Sequence, residues 1–449
     1  MKHIFSHTLF LILVACTPVR PGSSELPTST MSLSPDRVAA IDTVLASMVE
    51  IGMFNGTVVI DQGGEIVFKR SYGFANYELN LPFTDQTRFR IASLSKNMTN
   101  SALASMLVQK KIRMEDTLSL YLPDFPNGDR ITIEHLVTHQ SGIPHTNSQH
   151  WGDGSIRLTH DEIIDRLSLI PLDFEPGSQQ RYSNGGFAVL TRAMEVAAEQ
   201  SYGEILRETV FEPFGMHTAG HVSDSRLPIA NLAIGYEPGR AIGERRQSRF
   251  YAVETRPGGG SLYASSDDVT RFFQAAFRDQ MKGAKEYPEL FGGTGKARSA
   301  SGRSPGYYMD VYFDQENDLM VVSTANNYAA EFQWAENIAR MALSDTSGFE
   351  IPEIKSVRTT LQNHPWVGLF RNENPNFAQQ LEIRQTPTGD LYMLDHKGLT
   401  QTALIPLEEG GFLDTLYYGK CRMASEEISQ IECHRFYDGG FKQILIRRN

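Results

Sequence analysis

The stretch that decides the fold runs from Phe89 to Lys96 and reads Phe-Arg-Ile-Ala-Ser-Leu-Ser-Lys. Ser93 stands three residues before Lys96, so on a helix that begins here both side chains lie on one face. Apolar residues recur at helical spacing from Leu94 to Lys110, which predicts a helix with a largely buried face. A hydroxyl beside an amine at a helix N-terminus can become a nucleophile that has its own base, and the rest of the sequence decides whether it does.

The bulk composition is that of an ordinary globular protein with an acidic balance. The chain has 449 residues, of which 41% are apolar and 21% charged, and its formal net charge is −11. This length predicts one large domain with a smaller one. The acidic balance and the lack of a long basic run argue against a nucleic-acid partner. No internal apolar run reaches the length of a bilayer-spanning helix.

The N-terminal residues have the pattern of an export signal. An apolar stretch from Ile4 to Val14 follows a basic start and is too short for a transmembrane helix. It ends Leu-Val-Ala-Cys at 13–16, which resembles a bacterial lipobox and predicts lipidation of Cys16. We therefore expect a signal peptide over 1–16, a flexible tether over 17–32, and an exported protein that is lipid-anchored on the periplasmic side of a bacterial membrane, in particular the outer membrane. The alternative is an ordinary secretory signal with a chance cysteine.

The large domain begins with a helix followed by a β-hairpin. Ser34 and Pro35 form an N-cap with a first-turn proline, and apolar residues follow at helical spacing. Two β-rich runs, Thr57 to Asp61 and Ile66 to Tyr72, are separated by Gln-Gly-Gly at 62–64, which is a hairpin signal. A helix leading into antiparallel strands predicts a sheet covered by helices.

Residues 346–449 differ from the rest of the chain. They form short alternating runs with Gly and Pro turns, which predicts a small, barrel-like β domain. Cys421 and Cys433 flank a polar stretch at 425–427; if this is a hairpin turn, the cysteines face each other at a distance that a disulfide bridges. An exported protein permits this bond. Two buried thiols are the alternative, because pairing does not follow from sequence alone.

Further motifs follow Phe89–Lys96 in a defined order. They are Leu122-Pro123, His135 to Pro144, Glu175-Pro176-Gly177, Tyr182-Ser183-Asn184, Phe211 to Met216 and Gly259 to Asp268. Together they resemble the serine β-lactamase and penicillin-binding-protein family, in its class C, esterase and D-amino-acid-peptidase branch. Several weak motifs in the right order are more specific than any single one. The resemblance covers residues 35–343.

The resemblance implies an α+β fold. Residues 33–345 would form a β-lactamase-like hydrolase domain, with an antiparallel sheet flanked by helices beside an all-helical subdomain. Residues 346–449 would form the small C-terminal all-β domain. Ser93 would lie at the N-terminus of a buried helix between the sheet and the helical subdomain.

The resemblance also assigns roles to side chains. Ser93 would accept the acyl group, Lys96 would be its proton-transfer partner, and Tyr182 would share that transfer. Asn184 would orient the lysine and a substrate carbonyl. An ordinary Lys has a pKa near 10.4, so Lys96 must be desolvated or placed near other cations to act as a base. A phenol close to an ammonium is expected to lose its proton more easily.

The third motif of the family departs from its pattern in this chain. The resemblance places it at Ala300-Ser301-Gly302, so Ala300 stands where a Lys or His is expected. Ser301 and Gly302 would orient the substrate. The backbone N–H groups of Ser93 and Arg303 would form an oxyanion hole, and these donors do not depend on the side chain at 300.

Two explanations for the missing cation stay open. Arg298 lies two residues before Ala300 and on a strand faces the same side, so it is a candidate substitute. Alternatively, the substrates lack a carboxylate, or the protein is catalytically dead.

The expected reaction is hydrolysis of a small ester, amide or peptide through an acyl-enzyme. The missing cation favours an esterase or D-amino-acid peptidase over a β-lactamase. The rival hypothesis is a cell-envelope binding scaffold that keeps the fold without the activity. No metal or organic cofactor is implied, because no ligand cluster has metal-binding spacing. The sequence does not identify a protein partner.

Overall fold

The computed structural model describes residues 33–145, 155–291, 295–327, 333–343, 366–372, 380–387, 389–395, 401–406, 412–414, 419–423, 430–435 and 442–447. The predicted signal peptide, the lipidation site at Cys16 and the tether lie outside these residues, as does the predicted boundary between the two domains.

The helices of the described residues all belong to the N-terminal three quarters of the chain. They are α1 (Pro35–Glu50), α2 (Ser95–Val108), α3 (Ile133–Val137), α4 (His160–Ser168), α5 (Asn184–Ala198), α6 (Tyr202–Leu206), α7 (Ser266–Phe277) and α8 (Trp334–Leu343). Ser34 accepts a hydrogen bond from the N–H of Arg37 and Pro35 opens the helix, so the predicted N-cap of α1 is confirmed.

The strands of the described residues form three sheets and a barrel. The first ten are β1 (Gly56–Gln62), β2 (Glu65–Tyr72), β3 (Arg88–Arg90), β4 (Gly220–His221), β5 (Tyr236–Pro238), β6 (Arg245–Gln247), β7 (Leu262–Ser265), β8 (Ala297–Ser304), β9 (Tyr307–Asp314) and β10 (Leu319–Ala325). The barrel strands are β11 (Gly368–Asn372), β12 (Gln380–Gln385), β13 (Leu391–Asp395), β14 (Gln401–Pro406), β15 (Phe412–Asp414), β16 (Gly419–Met423), β17 (Gln430–Arg435) and β18 (Lys442–Arg447).

A five-stranded antiparallel sheet organises the large domain. Its order is β2-β1-β10-β9-β8, so β8 is an edge strand. Because side chains alternate along a strand, Val58 and Ile60 pack with α1 and α8 in one core, whereas Val59 packs with α2 and α7 in the other. The predicted hairpin of β1 and β2 is confirmed, and so is the α+β class with helices on both faces of the sheet.

The helix α2 is buried on nearly all sides. Eleven of its residues are buried, including Lys96 and polar side chains such as Ser95 and Thr99. A 3₁₀ turn, Ala92–Leu94, precedes it and lies beside β8 at the sheet edge. Helices α3 to α6 share the core that surrounds α2. This arrangement puts Ser93 between the sheet and a helical region.

The C-terminal strands β11 to β18 close into a barrel in sequence order. Its apolar core includes Trp366, Phe370 and Phe412. In the neighbouring strands β16 and β17, Cys421 lies directly opposite Cys433, and Cys421 is disulfide-bonded. Ile405 of β14 is fully buried in the core formed by α1, α8 and the sheet, so the barrel packs against the large domain.

A buried carboxyl lies under the start of α8. Asp310 of β9 is 4% exposed and accepts a hydrogen bond from the N–H of Ala335 at 2.8 Å. Burial raises the pKa of Asp310 from 3.8 to about 7, although the bond from Ala335 opposes this shift. Because the pKa is higher in the folded state, folding takes up a proton between these two values. The stability that this group contributes is therefore complete below about pH 4 and is lost as the pH rises to about 7.

We expect Asp310→Asn to remove this pH dependence. Asn keeps an oxygen acceptor for the N–H of Ala335 but carries no charge. The melting temperature of the variant should exceed that of the wild type by several degrees at pH 8, and the difference should shrink towards pH 5. Thermal unfolding of both proteins across this range measures the effect. Asp314→Asn, on the same strand, is the control, and melting curves that shift in parallel at every pH would contradict the prediction.

Candidate active site

Local backbone geometry presents the Ser93 hydroxyl. Ala92, immediately before it, has φ +46°, a left-handed conformation that is uncommon for a residue with a side chain. This conformation makes the corner between β3 and α2. Such strain persists where the surrounding structure holds it, and Ala92 is buried, 3% exposed.

Tyr182 meets Ser93 from a distant part of the chain. The Ser93 Oγ and Tyr182 Oη atoms are 2.8 Å apart. Tyr182 lies just before α5, where Ser183 is the N-cap and accepts a hydrogen bond from the N–H of Gly186 at 2.8 Å. Asn184 is the first residue of that helix and is buried, 4% exposed. The cap therefore fixes both Tyr182 and Asn184 against the start of α2.

Lys96 is buried, 7% exposed, and its amine is held by two acceptors. The Nζ atom donates to Asn184 Oδ1 at 2.7 Å and to the carbonyl oxygen of Gly259 at 2.6 Å. Desolvation by burial lowers the pKa of Lys96 well below its ordinary value, and the positive charge of Arg256 lowers it further.

These two hydrogen bonds decide where the Lys96 amine can accept a proton. A neutral amine has two N–H bonds and one lone pair. Both N–H bonds are donated to Asn184 and Gly259, so the lone pair points away from these two acceptors. The Nζ atom also lies 4.6 Å from the centre of the Tyr182 ring, which brings the amine to the Ser93–Tyr182 pair. The site can therefore hold a neutral lysine next to the partly exposed hydroxyl of Ser93.

We expected the neighbouring ammonium to lower the pKa of Tyr182. This expectation is wrong, because the pKa of Tyr182 is raised overall. Partial burial of the phenol raises its pKa, and the hydrogen bond with Ser93 and the charge of Arg256 only partly oppose this shift. The reason is that the same burial acts on both groups: it also favours the neutral form of Lys96. Both shifts favour the neutral forms of the pair, in which Tyr182 keeps its phenolic proton and Lys96 has a free lone pair.

His139 supports the tyrosine. Burial lowers the pKa of His139 to about 4, assisted by Lys96 and His145, so the ring is neutral at neutral pH. Its Nδ1 accepts the N–H of Ser183 at 3.2 Å, and its ring packs against Tyr182 at 4.8 Å between centres. His135, by contrast, completes the N-terminal cap of α3 with its ring nitrogen. Both histidines are engaged in holding the loop in place.

The third motif lies on the edge strand β8, next to the Ser93 turn. A Cβ at Gly302 would come within 2.4 Å of the Ile91 carbonyl oxygen and 2.9 Å of the Ser93 nitrogen, so the two backbones are in direct contact. Ser301 and Arg303 project from the exposed face of the strand, and Ala300 packs against the core around α2.

Arg298 is engaged elsewhere. It is 4% exposed, and its guanidinium pairs with Asp279 at 3.1 Å, just after the end of α7. Strand alternation does place it on the same face as Ala300, but this ion pair takes up its charge. Arg298 is therefore a poor candidate for the substitute cation.

Two contributors to the site did not emerge from the sequence reasoning. One is the backbone carbonyl of Gly259, which holds Lys96, and the other is Arg256, whose charge acts on both Lys96 and Tyr182. The run Gly258-Gly259-Gly260 could have indicated that the backbone comes close to the site at Gly259. The structure shows the reason, since a Cβ at Gly259 would lie 3.0 Å from Asn184 Oδ1. The sequence carries no comparable signal for Arg256.

Among the described residues, no helix has both the length and the apolar content needed to cross a bilayer. In the same part of the chain, no group of three or more His, Cys, Asp or Glu side chains is arranged to hold a metal ion.

The fold and the Ser93, Lys96 and Tyr182 constellation define a serine hydrolase of the β-lactamase type. The sequence model of the Beta-lactamase family matches residues 41–339. The chain belongs to this family, and the resemblance inferred from its motifs is confirmed.

Known proteins agree with this assignment. The putative penicillin-binding protein PbpX of Bacillus subtilis is 28% identical over 60% of this chain and 66% of its own length. Esterase EstB of Burkholderia gladioli is 27% identical over 56% of this chain and 74% of its own. The crystal structure of D-amino acid amidase from Ochrobactrum anthropi SV3 shares the fold, with a TM-score of 0.59 and 19% identity over 69% of this chain and 97% of its own.

Proposed function

We propose that this protein hydrolyses a small ester or amide through an acyl-enzyme on Ser93. The observation that carries this proposal is the buried lysine whose two N–H bonds are occupied while Ser93 is hydrogen-bonded to Tyr182. The relatives include an esterase by name, and a neighbour in fold is an amidase.

The proposed reaction has two halves. Ser93 Oγ attacks the substrate carbonyl carbon, and its proton passes to the Lys96–Tyr182 pair, which then delivers it to the leaving alcohol or amine. In the second half, water attacks the acyl-serine, gives its proton to the same pair, and the proton returns to Ser93 Oγ as the acid leaves. Asn184 uses its oxygen on Lys96, so its NH₂ group is available to the substrate.

The oxyanion of each tetrahedral intermediate would be bound by two backbone N–H groups. Ser93 supplies one, and Arg303, the residue after Gly302 on β8, supplies the other. The close contact between Gly302 and Ser93 supports this pairing. Each donor of this kind is typically worth about 3 kcal/mol of the barrier.

Covalent labelling tests the proposal. We expect a fluorophosphonate probe to add once, on Ser93, as seen by mass spectrometry of the digested protein. Ser93→Ala should not be labelled, and Ser95→Ala, two residues further on, should still be. A panel of phenyl esters and D-amino-acid amides then identifies the leaving group.

A binding scaffold is the second candidate, and the absence of the third-motif cation at Ala300 favours it. It predicts no adduct on Ser93. It also predicts that wild type and Ser93→Ala bind peptidoglycan fragments equally while neither turns over any ester or amide. Labelling of Ser93 with turnover would exclude this candidate.

We also propose that the protein is exported and anchored to a bacterial membrane by lipid on Cys16. The support is the Leu-Val-Ala-Cys sequence at 13–16 and the Pro-, Ser- and Thr-rich segment after it. The full-length protein should fractionate with membranes, in particular outer membranes, and Cys16→Ala should be released into the soluble fraction. Retention of Cys16→Ala in the membrane would overturn this proposal.

A further inference from the structure

We propose that Arg256 binds a carboxylate carried by the substrate, taking the part of the cation that is missing at Ala300. This inference rests on the proposed hydrolysis at Ser93 and deepens it, because it narrows the substrates to anionic esters or amides. Hydrolysis at Ser93 and carboxylate binding by Arg256 can each be wrong without the other, and separate measurements test them.

The first support is the position of Arg256 in the wall of the site. Its carbonyl oxygen accepts the N–H groups of Gly259 and Gly260, at 3.1 and 2.9 Å. Gly259 is the residue that holds Lys96. A Cβ at Gly260 would lie 3.8 Å from the Cβ and Cδ atoms of Arg256 and 3.8 Å from the backbone of Ala92. The stem of the arginine and the backbone of the residue that precedes Ser93 therefore both border Gly260.

The second support is that the described residues offer this guanidinium no carboxylate partner. Its central carbon lies 4.7 Å from the centre of the Tyr251 ring, and its Nε is buried without a hydrogen-bond acceptor. Glu254, two residues earlier, uses its Oε1 atom for Arg157 at 3.1 Å and Ser225 at 2.8 Å, and its Oε2 atom has no hydrogen-bond partner among the described residues. Stacking on Tyr251 fixes the plane of the guanidinium and leaves its N–H edge for a ligand.

The third support is electrostatic. The charge of Arg256 lowers the pKa of both Lys96 and Tyr182, so its field reaches the two groups that would move the proton. A carboxylate placed against Arg256 would therefore be held next to the reacting groups.

Two other arginines near the site are already paired with carboxylates. Arg298 pairs with Asp279, and Arg181, next to Tyr182, pairs with Asp173 at 3.0 Å. Arg256 is also compatible with bidentate binding, since a guanidinium presents two parallel N–H groups to a carboxylate.

Two pairs of substrates measure the preference for a carboxylate. In the first pair the charge is on the leaving group, with 3-carboxyphenyl acetate against phenyl acetate. In the second pair it is on the acyl group, with phenyl hydrogen succinate against phenyl butyrate. The readout is the ratio of kcat/KM for the charged ester over the neutral ester. A ratio is needed because loss of Arg256 also alters Lys96, and that effect acts on both members of a pair.

We expect Arg256→Met to lower this ratio at least tenfold in one of the two pairs, mainly through KM. Arg256→Lys, which keeps the charge, should recover part of the loss. Arg181→Met, which removes a charge that is already paired, should leave both ratios within about twofold of wild type. Unchanged ratios in Arg256→Met for both pairs would overturn the inference, as would an equal loss in Arg181→Met.

A binding measurement decides the matter even without turnover. Calorimetry of intact 3-carboxyphenyl acetate and phenyl hydrogen succinate with Ser93→Ala should show at least tenfold tighter binding of one ester than with Ser93→Ala/Arg256→Met. Equal affinities for both esters overturn the role of Arg256. If Ser93 is not labelled by a fluorophosphonate but the affinities differ, the carboxylate site stands and the proposed hydrolysis fails.

Discussion

Replacing Lys96 by Met is expected to lower kcat/KM for ester hydrolysis by about 10³-fold, since general acid–base catalysis by a positioned side chain contributes about 10²–10⁴. Met has nearly the same length and keeps the hydrophobic part of the side chain in its buried channel. It has no lone pair that accepts the Ser93 proton. Tyr182 remains, but burial raises the pKa of its phenol, so it offers no phenolate to replace the amine.

The loss should be chemical rather than structural. Lys96→Met leaves the Asn184 and Gly259 oxygens without a donor, which is destabilising. The same substitution also stabilises the folded state, because it removes the cost of burying an amine whose charged form is disfavoured by burial. We therefore expect a melting temperature close to that of the wild type, with fluorophosphonate labelling of Ser93 slowed in parallel with hydrolysis.

Lys69→Met is the matched control for this variant. Lys69 is on β2 and pairs with Asp85 and Asp267, so its loss should leave kcat/KM within about twofold. The double variant Ser93→Ala/Lys96→Met should be no less active than the worse single variant, because residues that act as a unit are not additive. Activity in Lys96→Met within tenfold of wild type, in a folded protein, would show that Lys96 is not the base.

The dependence of kcat/KM on pH also tests whether Lys96 is the base. Since a lowered pKa in Lys96 makes the neutral amine available at lower pH, the rate should rise with pH and level off well below the pKa of an ordinary lysine. Arg256→Met removes a positive neighbour, so it should raise the pKa of Lys96 and move this rise to higher pH.

The parts of the site that are local in sequence were predictable. Ser93 and Lys96 share a helical turn, so their spacing alone puts them on one face. Tyr182 and Asn184 are 88 or more residues away along the chain from those partners, and only the order of motifs in a known family brought them together. The hairpin of β1 and β2 followed from its turn residues in the same local way.

The sequence did not predict which residue pairs with each charged side chain. Strand alternation gave the face of Arg298, but Asp279, which pairs with it, comes from the turn after α7, and no local pattern reveals that contact. In the same way, the burial that governs the pKa of Tyr182 is a property of the assembled site. A rule of opposite charges therefore gave the wrong sign for Tyr182, because desolvation exceeds the attraction.

Gly302→Ala is expected to lower kcat by about 10²-fold or more, through the backbone alone, since loss of one oxyanion donor typically costs about 10²–10³. The added Cβ would lie 2.4 Å from the Ile91 carbonyl oxygen, 2.9 Å from the Ser93 nitrogen and 3.0 Å from the Leu94 nitrogen. All three are backbone atoms, which do not rotate away as a flexible side chain does. The edge strand β8 must therefore retreat from the Ser93 turn and take the N–H of Arg303 with it.

Under the proposed mechanism β8 carries one oxyanion donor and the turn before α2 carries the other, so this displacement would separate the two donors. The effect should appear in kcat more than in KM, since the oxyanion exists only in the transition state and the intermediate. Gly203→Ala on α6 is the control, because its Cβ would meet nothing closer than 3.8 Å. The overpacking in Gly302→Ala should cost about 1–3 kcal/mol of stability, so a melting curve must show that the variant is folded at the assay temperature. A folded Gly302→Ala that hydrolyses esters within threefold of wild type would mean that the oxyanion is not bound between β8 and the start of α2.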